Sequence, residues 1–148
     1  MMVVTPWIVL LAVGSPNPEQ GLVESLVELT NETRTRHELG RLVWDDTAAR
    51  IARRHAEDMV VRGYFDHVAP DGTTLGDRVA AGGLTVFRAV GENLGMGSRD
   101  PRTLMRLWME SGGHRRNILD RRFTHVGIGY VPGSRESRSV WCVVFVSK

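Results

Sequence analysis

Trp108-Met109-Glu110-Ser111-Gly112-Gly113-His114-Arg115-Arg116-Asn117-Ile118-Leu119 is the stretch on which the reading of this chain turns. It joins an apolar helix face to a glycine pair and then presents an imidazole. Two glycines can take positive φ and end a helix abruptly, so Gly112 and Gly113 are expected to stop the preceding helix and aim His114 in a new direction. Ile118-Leu119 returns the chain to a core, which anchors His114 on both sides.

Composition bounds the surroundings. With 148 residues, 42% apolar and 24% charged, the chain has room for one globular domain with a real core. The formal charge is +2, and all but one of the 19 basic residues are arginine. Arg115-Arg116 and Arg121-Arg122 form a basic cluster, but without sustained charge or interleaved exposed aromatics it is a solvated face and not a nucleic-acid groove. The only cysteine, Cys142, excludes an internal disulfide and a cysteine-based zinc cluster; its place in the run Val140–Val146 predicts a buried strand residue.

Met1 to Val13 is an apolar run ending in Ala12-Val13-Gly14-Ser15, small residues with the spacing of a signal peptidase site. Residues 1–14 are therefore expected to be a signal peptide and 15–148 a single secreted domain. The first helix is expected over 18–36, where Leu22, Val23, Leu26, Val27 and Leu29 recur at helical spacing and polar residues continue from Asn31. A second helix starts with Asp45 or Asp46 as N-cap and runs to Val61, with His55 on its apolar face as a core residue and Gly63 at its end. Thr74 and Asp77 form a capping box for a short helix, Leu75 to Ala81. A strand is expected over Leu84 to Leu94, with Glu92 near its end; a carboxylate among apolar neighbours must be hydrogen-bonded or face a cation. Asp100-Pro101 opens a helix whose face is Leu104, Leu107 and Trp108. His125–Val131 and Val140–Val146 make a hairpin.

Phe65-Asp66-His67, Gly91-Glu92-Asn93-Leu94, Trp108-Met109, Gly113-His114-Arg115, Asn117-Ile118-Leu119, Phe123 and Gly127-Ile128-Gly129, in this order and spacing, closely resemble the secreted CAP superfamily in its compact bacterial form. That family is also called the SCP or pathogenesis-related-1-like domain, and the resemblance covers about residues 19–148. It implies an α+β fold, a three-layer α-β-α sandwich in which helices flank a small, mainly antiparallel sheet. It also implies a central cleft with two histidines and two glutamates, and a divalent metal such as zinc on the histidines. Carried over, the histidines are His67 and His114 and the first glutamate is Glu92. The second falls on Ser111, with Glu110 one residue earlier; on a helix that shift turns a side chain by about 100°, so Glu110 and Ser111 are the alternatives for the fourth position.

Two imidazoles and a carboxylate could hold zinc with an open position for water, with Glu92 as the catalytic base of a metal-dependent hydrolase of peptides or cell-envelope material. The resemblance instead favours a secreted binding module for a small molecule, lipid or protein, since members of the family bind different ligands through one scaffold. No nucleic-acid partner and no transmembrane segment in the mature chain are expected.

Overall fold

The structure is a computed structural model and describes residues 17–148. The signal peptide expected at residues 1–14 lies outside the described residues. The elements run α1 (Pro18–Arg36), β1 (Val43–Trp44), α2 (Asp46–Arg62), α3 (Leu75–Ala81), β2 (Ala89–Met96), α4 (Pro101–Met109), α5 (Gly112–Ile118), β3 (His125–Val131) and β4 (Val140–Ser147). Among the described residues no helix is long and apolar enough to cross a membrane.

The sheet has the order β1-β3-β4-β2: β4 pairs antiparallel with β3 and β2, and β1 adds a short parallel edge beside β3. The sheet is thus mainly antiparallel, as expected. Its centre is β4, buried along its whole length because both faces are covered. Side chains alternate along a strand. Trp141, Val143 and Phe145 therefore join Leu26, Leu104, Trp108 and Ile118 from α1, α4 and α5 in one core, while Val140, Cys142, Val144 and Val146 meet Ile51, Ala52, Met59 and Val79 from α2 and α3 in the other. These two cores on opposite faces of one sheet make the three-layer sandwich.

On β3 the same alternation sends Val126, Ile128 and Tyr130 to the first core and leaves Gly127 and Gly129 facing α2. A Cβ at Gly127 would collide with the backbone at Ala48 and Ala49, and one at Gly129 with the backbone at Ala52 and Arg53. The Gly-Ile-Gly motif is thus a place where helix and sheet backbones touch.

Local signals explain most boundaries. Asn17 and Asp45 cap α1 and α2 through their side chains, Pro18 opens α1, and Gly63 closes α2 at φ 69°. The capping box of Thr74 and Asp77 is present. Four expectations need correction. The strand begins at Ala89, not Leu84; β1 went unforeseen; and Leu107 is exposed. The fourth concerns the glycine pair: α4 already ends at Met109, and Gly112-Gly113 form the first turn of α5 without positive φ. His114 is therefore aimed by the start of a new helix, with Ser111 at its N-cap.

Candidate functional site

Glu92 and Asn93 are consecutive on β2, and strand alternation sends them to opposite faces. Each fastens one of the two predicted histidines. Glu92 Oε1 accepts a hydrogen bond from His67 Nδ1 at 2.8 Å, and Asn93 Nδ2 donates to the backbone carbonyl of His114 at 3.1 Å. β2 is an edge strand, paired only with β4, and its outer carbonyls are held by side chains. Asn117 Nδ2 donates to Glu92 O at 3.0 Å and Trp108 Nε1 to Leu94 O at 2.9 Å. The tryptophan and asparagine of the motif thus serve the strand that carries the glutamate.

The Glu92 side chain is only 2% exposed, and its carboxylate is fully engaged. Arg78 Nη1 donates to Oε2 at 2.6 Å and Nη2 to Oε1 at 3.3 Å, Cys142 Sγ donates to Oε2 at 3.3 Å, and His55 Nε2 stands 4.0 Å from Oε1. Burial by itself would raise the Glu92 pKa, but the Arg78 guanidinium, with His67 and His55, overrides it and holds the carboxyl below its ordinary value. Arg78 also donates to His67 O at 2.7 Å, so one guanidinium fixes both the carboxylate and the loop bearing the imidazole. Its Nε is buried without a hydrogen-bond partner.

A carboxylate can only accept, so Nδ1 of His67 carries the proton and the lone pair of the neutral ring lies on Nε2. The His67 side chain is 54% exposed. His114 Nδ1 lies 3.0 Å from Ser111 Oγ, and its ring is tilted against Trp108 at 6.0 Å between centroids. Burial and, less strongly, the neighbouring charge of His67 lower the His114 pKa, which keeps the ring neutral near pH 7.

The sequence-predicted residues thus separate. His67, Glu92 and the α5 segment bearing His114 come together at the outer edge of β2. Glu110 does not join them; it is exposed and pairs along its own helix with Arg106 at 3.1 Å. Ser111, the other alternative, places its Oγ 3.0 Å from His114 Nδ1. His55 is buried, as expected for a core residue, with Nε2 bonded to Asp66 O at 3.0 Å. Cys142 is buried in β4, with its thiol pKa pushed well up by burial and by Glu92. Arg78, Asn93 and Asn117 were not foreseen. Only the demand of a buried carboxylate for a cation pointed toward Arg78, and nothing distinguished it from the other arginines.

Zinc takes four ligands, and among the described residues no group of three or more His, Cys, Asp or Glu side chains is placed to hold a metal ion. Glu92 spends its lone pairs on Arg78, His67 and Cys142, so the protein offers two imidazoles. That donor set suits an ion completed by water or by a bound ligand, not a closed structural site.

The family model described as "Cysteine-rich secretory protein family" (CAP) matches residues 27–146. The uncharacterized protein YkwD of Bacillus subtilis (strain 168) is 37% identical over 135 residues, covering 91% of this chain and 51% of that protein. The chain therefore spans about half the length of this curated relative. An extracellular protein containing a SCP domain from Bacillus anthracis str. Ames, solved by crystallography, aligns with a TM-score of 0.75 and 33% identity over 91% of this chain and 45% of that one. NaASP2, crystallised with Zn2+, shares the fold at a TM-score of 0.55 and 13% identity over 88% of this chain and 80% of that one.

Proposed function

The chain belongs to the cysteine-rich secretory protein (CAP) family, and we propose that it acts outside the cytoplasm as a binding module whose ligand meets His67 and His114. Residues 1–14 would be removed as a signal peptide, leaving 15–148 as the working domain. The extracellular description of the Bacillus anthracis relative and the apolar N-terminal run support that location.

One observation carries the choice of binding over hydrolysis: Glu92 is locked between Arg78 and His67. A general base must be free to take a proton. A carboxylate with a lowered pKa and both oxygens bonded is a poor one. Its place is behind His67, orienting the ring through Nδ1 so that Nε2 faces outward, the arrangement in which carboxylates support metal-binding histidines. Ser111 does the same for His114 with a neutral hydroxyl. Within this reading His67 and His114 would hold a divalent ion such as zinc through Nε2, and the ion would supply Lewis-acid polarisation of a bound ligand. Its presence in NaASP2 supports the choice of zinc.

The test is zinc calorimetry on the tag-free mature protein at neutral pH. Binding is expected, abolished by His67→Ala with His114→Ala while the circular dichroism spectrum is unchanged. Glu92→Gln should weaken it roughly ten- to hundredfold. Because imidazole ligates only when neutral, binding should fade as pH drops below about 6.5. Absence of a zinc signal in the parent would remove the metal, and zinc-dependent release of product from peptides or cell-envelope material would restore the hydrolase.

A further inference from the structure

Away from the histidines, the turn after β2 and the long β3–β4 loop flank an open cavity of about 400 Å³ whose lining includes Gly97, Ser134, Ser137, Ser139 and the exposed Arg99 and Arg138. We propose that this cavity binds a phosphate-type oxyanion, the head of a phosphate ester.

Its lining has two guanidinium groups and no carboxylate. Among the described residues the ion pairs are made by other side chains, so Arg99 and Arg138 are uncommitted. The adjacent Asp100 carboxylate is occupied in capping α4, accepting from Arg102 N, Thr103 N and Thr103 Oγ1. A hydroxyl donor is also available. Ser134 Oγ accepts from Glu136 N and Ser137 N at 3.1 Å each and lies 3.0 Å from Ser137 Oγ. Only one of the two serine protons can lie between those oxygens, which leaves the other free to donate.

The frame is fixed. Gly97 N donates to Ser139 O at 2.8 Å, Ser139 Oγ to Ser98 O at 3.1 Å and Trp141 Nε1 to Ser98 O at 2.8 Å, so the two loops are fastened to each other and to the sheet. Gly97 makes the turn at φ 88°. Two arginines and a serine hydroxyl in an acid-free lining match the tetrahedral oxyanion of a phosphate ester, and they offer nothing to a cation. The cavity exceeds the size of bare phosphate, which points to an ester with a small organic body. A soluble phosphomonoester and a lipid headgroup share this chemistry.

The test follows backbone amide resonances of the protein during titration with inorganic phosphate and with glycerol 3-phosphate at low salt, alongside sedimentation with phosphatidylglycerol or phosphatidylcholine vesicles. Saturable shifts are expected at Gly97–Arg99 and Ser134–Ser139, and Arg99→Gln and Arg138→Gln should each weaken binding about tenfold. Arg135→Gln, in the same loop but outside the lining, should leave affinity unchanged. Shifts without sedimentation assign a soluble ester; sedimentation with phosphatidylglycerol alone that is lost in Arg99→Gln and Arg138→Gln assigns a headgroup. The proposal is overturned if no saturable shift appears, or if Arg135→Gln weakens binding as much as the lining variants.

Discussion

Arg34 and Arg78 are both arginines drawn into the interior from helices, yet they meet opposite kinds of partner. Arg34, 1% exposed, donates only to backbone carbonyls: Gly40 at 2.8 Å, Ile118 at 2.8 Å, Asp120 at 2.9 Å and Phe123 at 3.1 Å. It ties α1 to the segment between α5 and β3, and burial lowers its pKa against the weaker opposing pull of the Asp120 charge. Arg78 donates to the Glu92 carboxylate and to His67 O and leaves Nε unpaired. One cation serves as a strut among neutral groups that cannot move independently of the fold. The other belongs to a charge network that opens onto a surface histidine.

The comparison is broken most severely at Arg34. Arg34→Leu strands several buried carbonyls at once and should cost about 3 kcal/mol or more, read as a lower urea midpoint. Because those carbonyls belong to the backbone, no second side-chain change should recover the loss. Arg78→Met should cost about 2–3 kcal/mol by leaving the buried Glu92 carboxylate without its guanidinium partner. Here recovery is expected: adding Glu92→Gln removes the stranded charge, and a double-mutant cycle in urea should show strong coupling. Equal, additive costs would erase the distinction between strut and network.

A smaller effect appears with pH. Burial lowers the pKa of His55, beside Glu92, and of His114. The unfolded chain then takes up protons first, so the stability from these rings is complete above about pH 6.5 and declines as pH falls through their folded values. Glu92, whose folded pKa is also lowered, adds a second loss that starts below about pH 4.3. Urea midpoints measured across this range should fall in two stages. His55→Gln should shrink the first and Glu92→Gln the second. The smallest change is Glu110→Ala, which removes an exposed pair with Arg106, costs a few tenths of a kcal/mol and leaves zinc affinity untouched.

Why Arg34 was invisible in sequence and Glu92 was not follows from the same physics. A carboxylate between Gly91 and Leu94 on an apolar strand contradicts its neighbours and so attracts notice. Arg34 lies in a run that alternates polar residues, and Thr30, Asn31, Thr33 and Arg34 look solvated until the fold buries all of them. Asn31 shows the reason: it bonds both the amide and the carbonyl of Leu42, contacts that exist only after the chain returns. Helix limits at Asp45, Thr74 and Asp100 were legible because caps are local. The two-residue β1 was not, since its pairing with β3 depends on residues some eighty positions away and gives no alternation of its own. At the cleft, His67, Glu92 and His114 emerged by resemblance, whereas the glycine pair misled because two glycines suit a helix's first turn as readily as its end.

An edge strand is normally where one polypeptide can add itself to another, because its outward carbonyls and amides are a template for pairing. On β2 that template is interrupted. Trp108 and Asn117 take the outward carbonyls of Leu94 and Glu92, and α5, which bears Asn117, lies against the strand. The side chains that steady Glu92 and His114 therefore also guard this margin against pairing with a second chain. Removing either side chain thus exposes an edge to self-association.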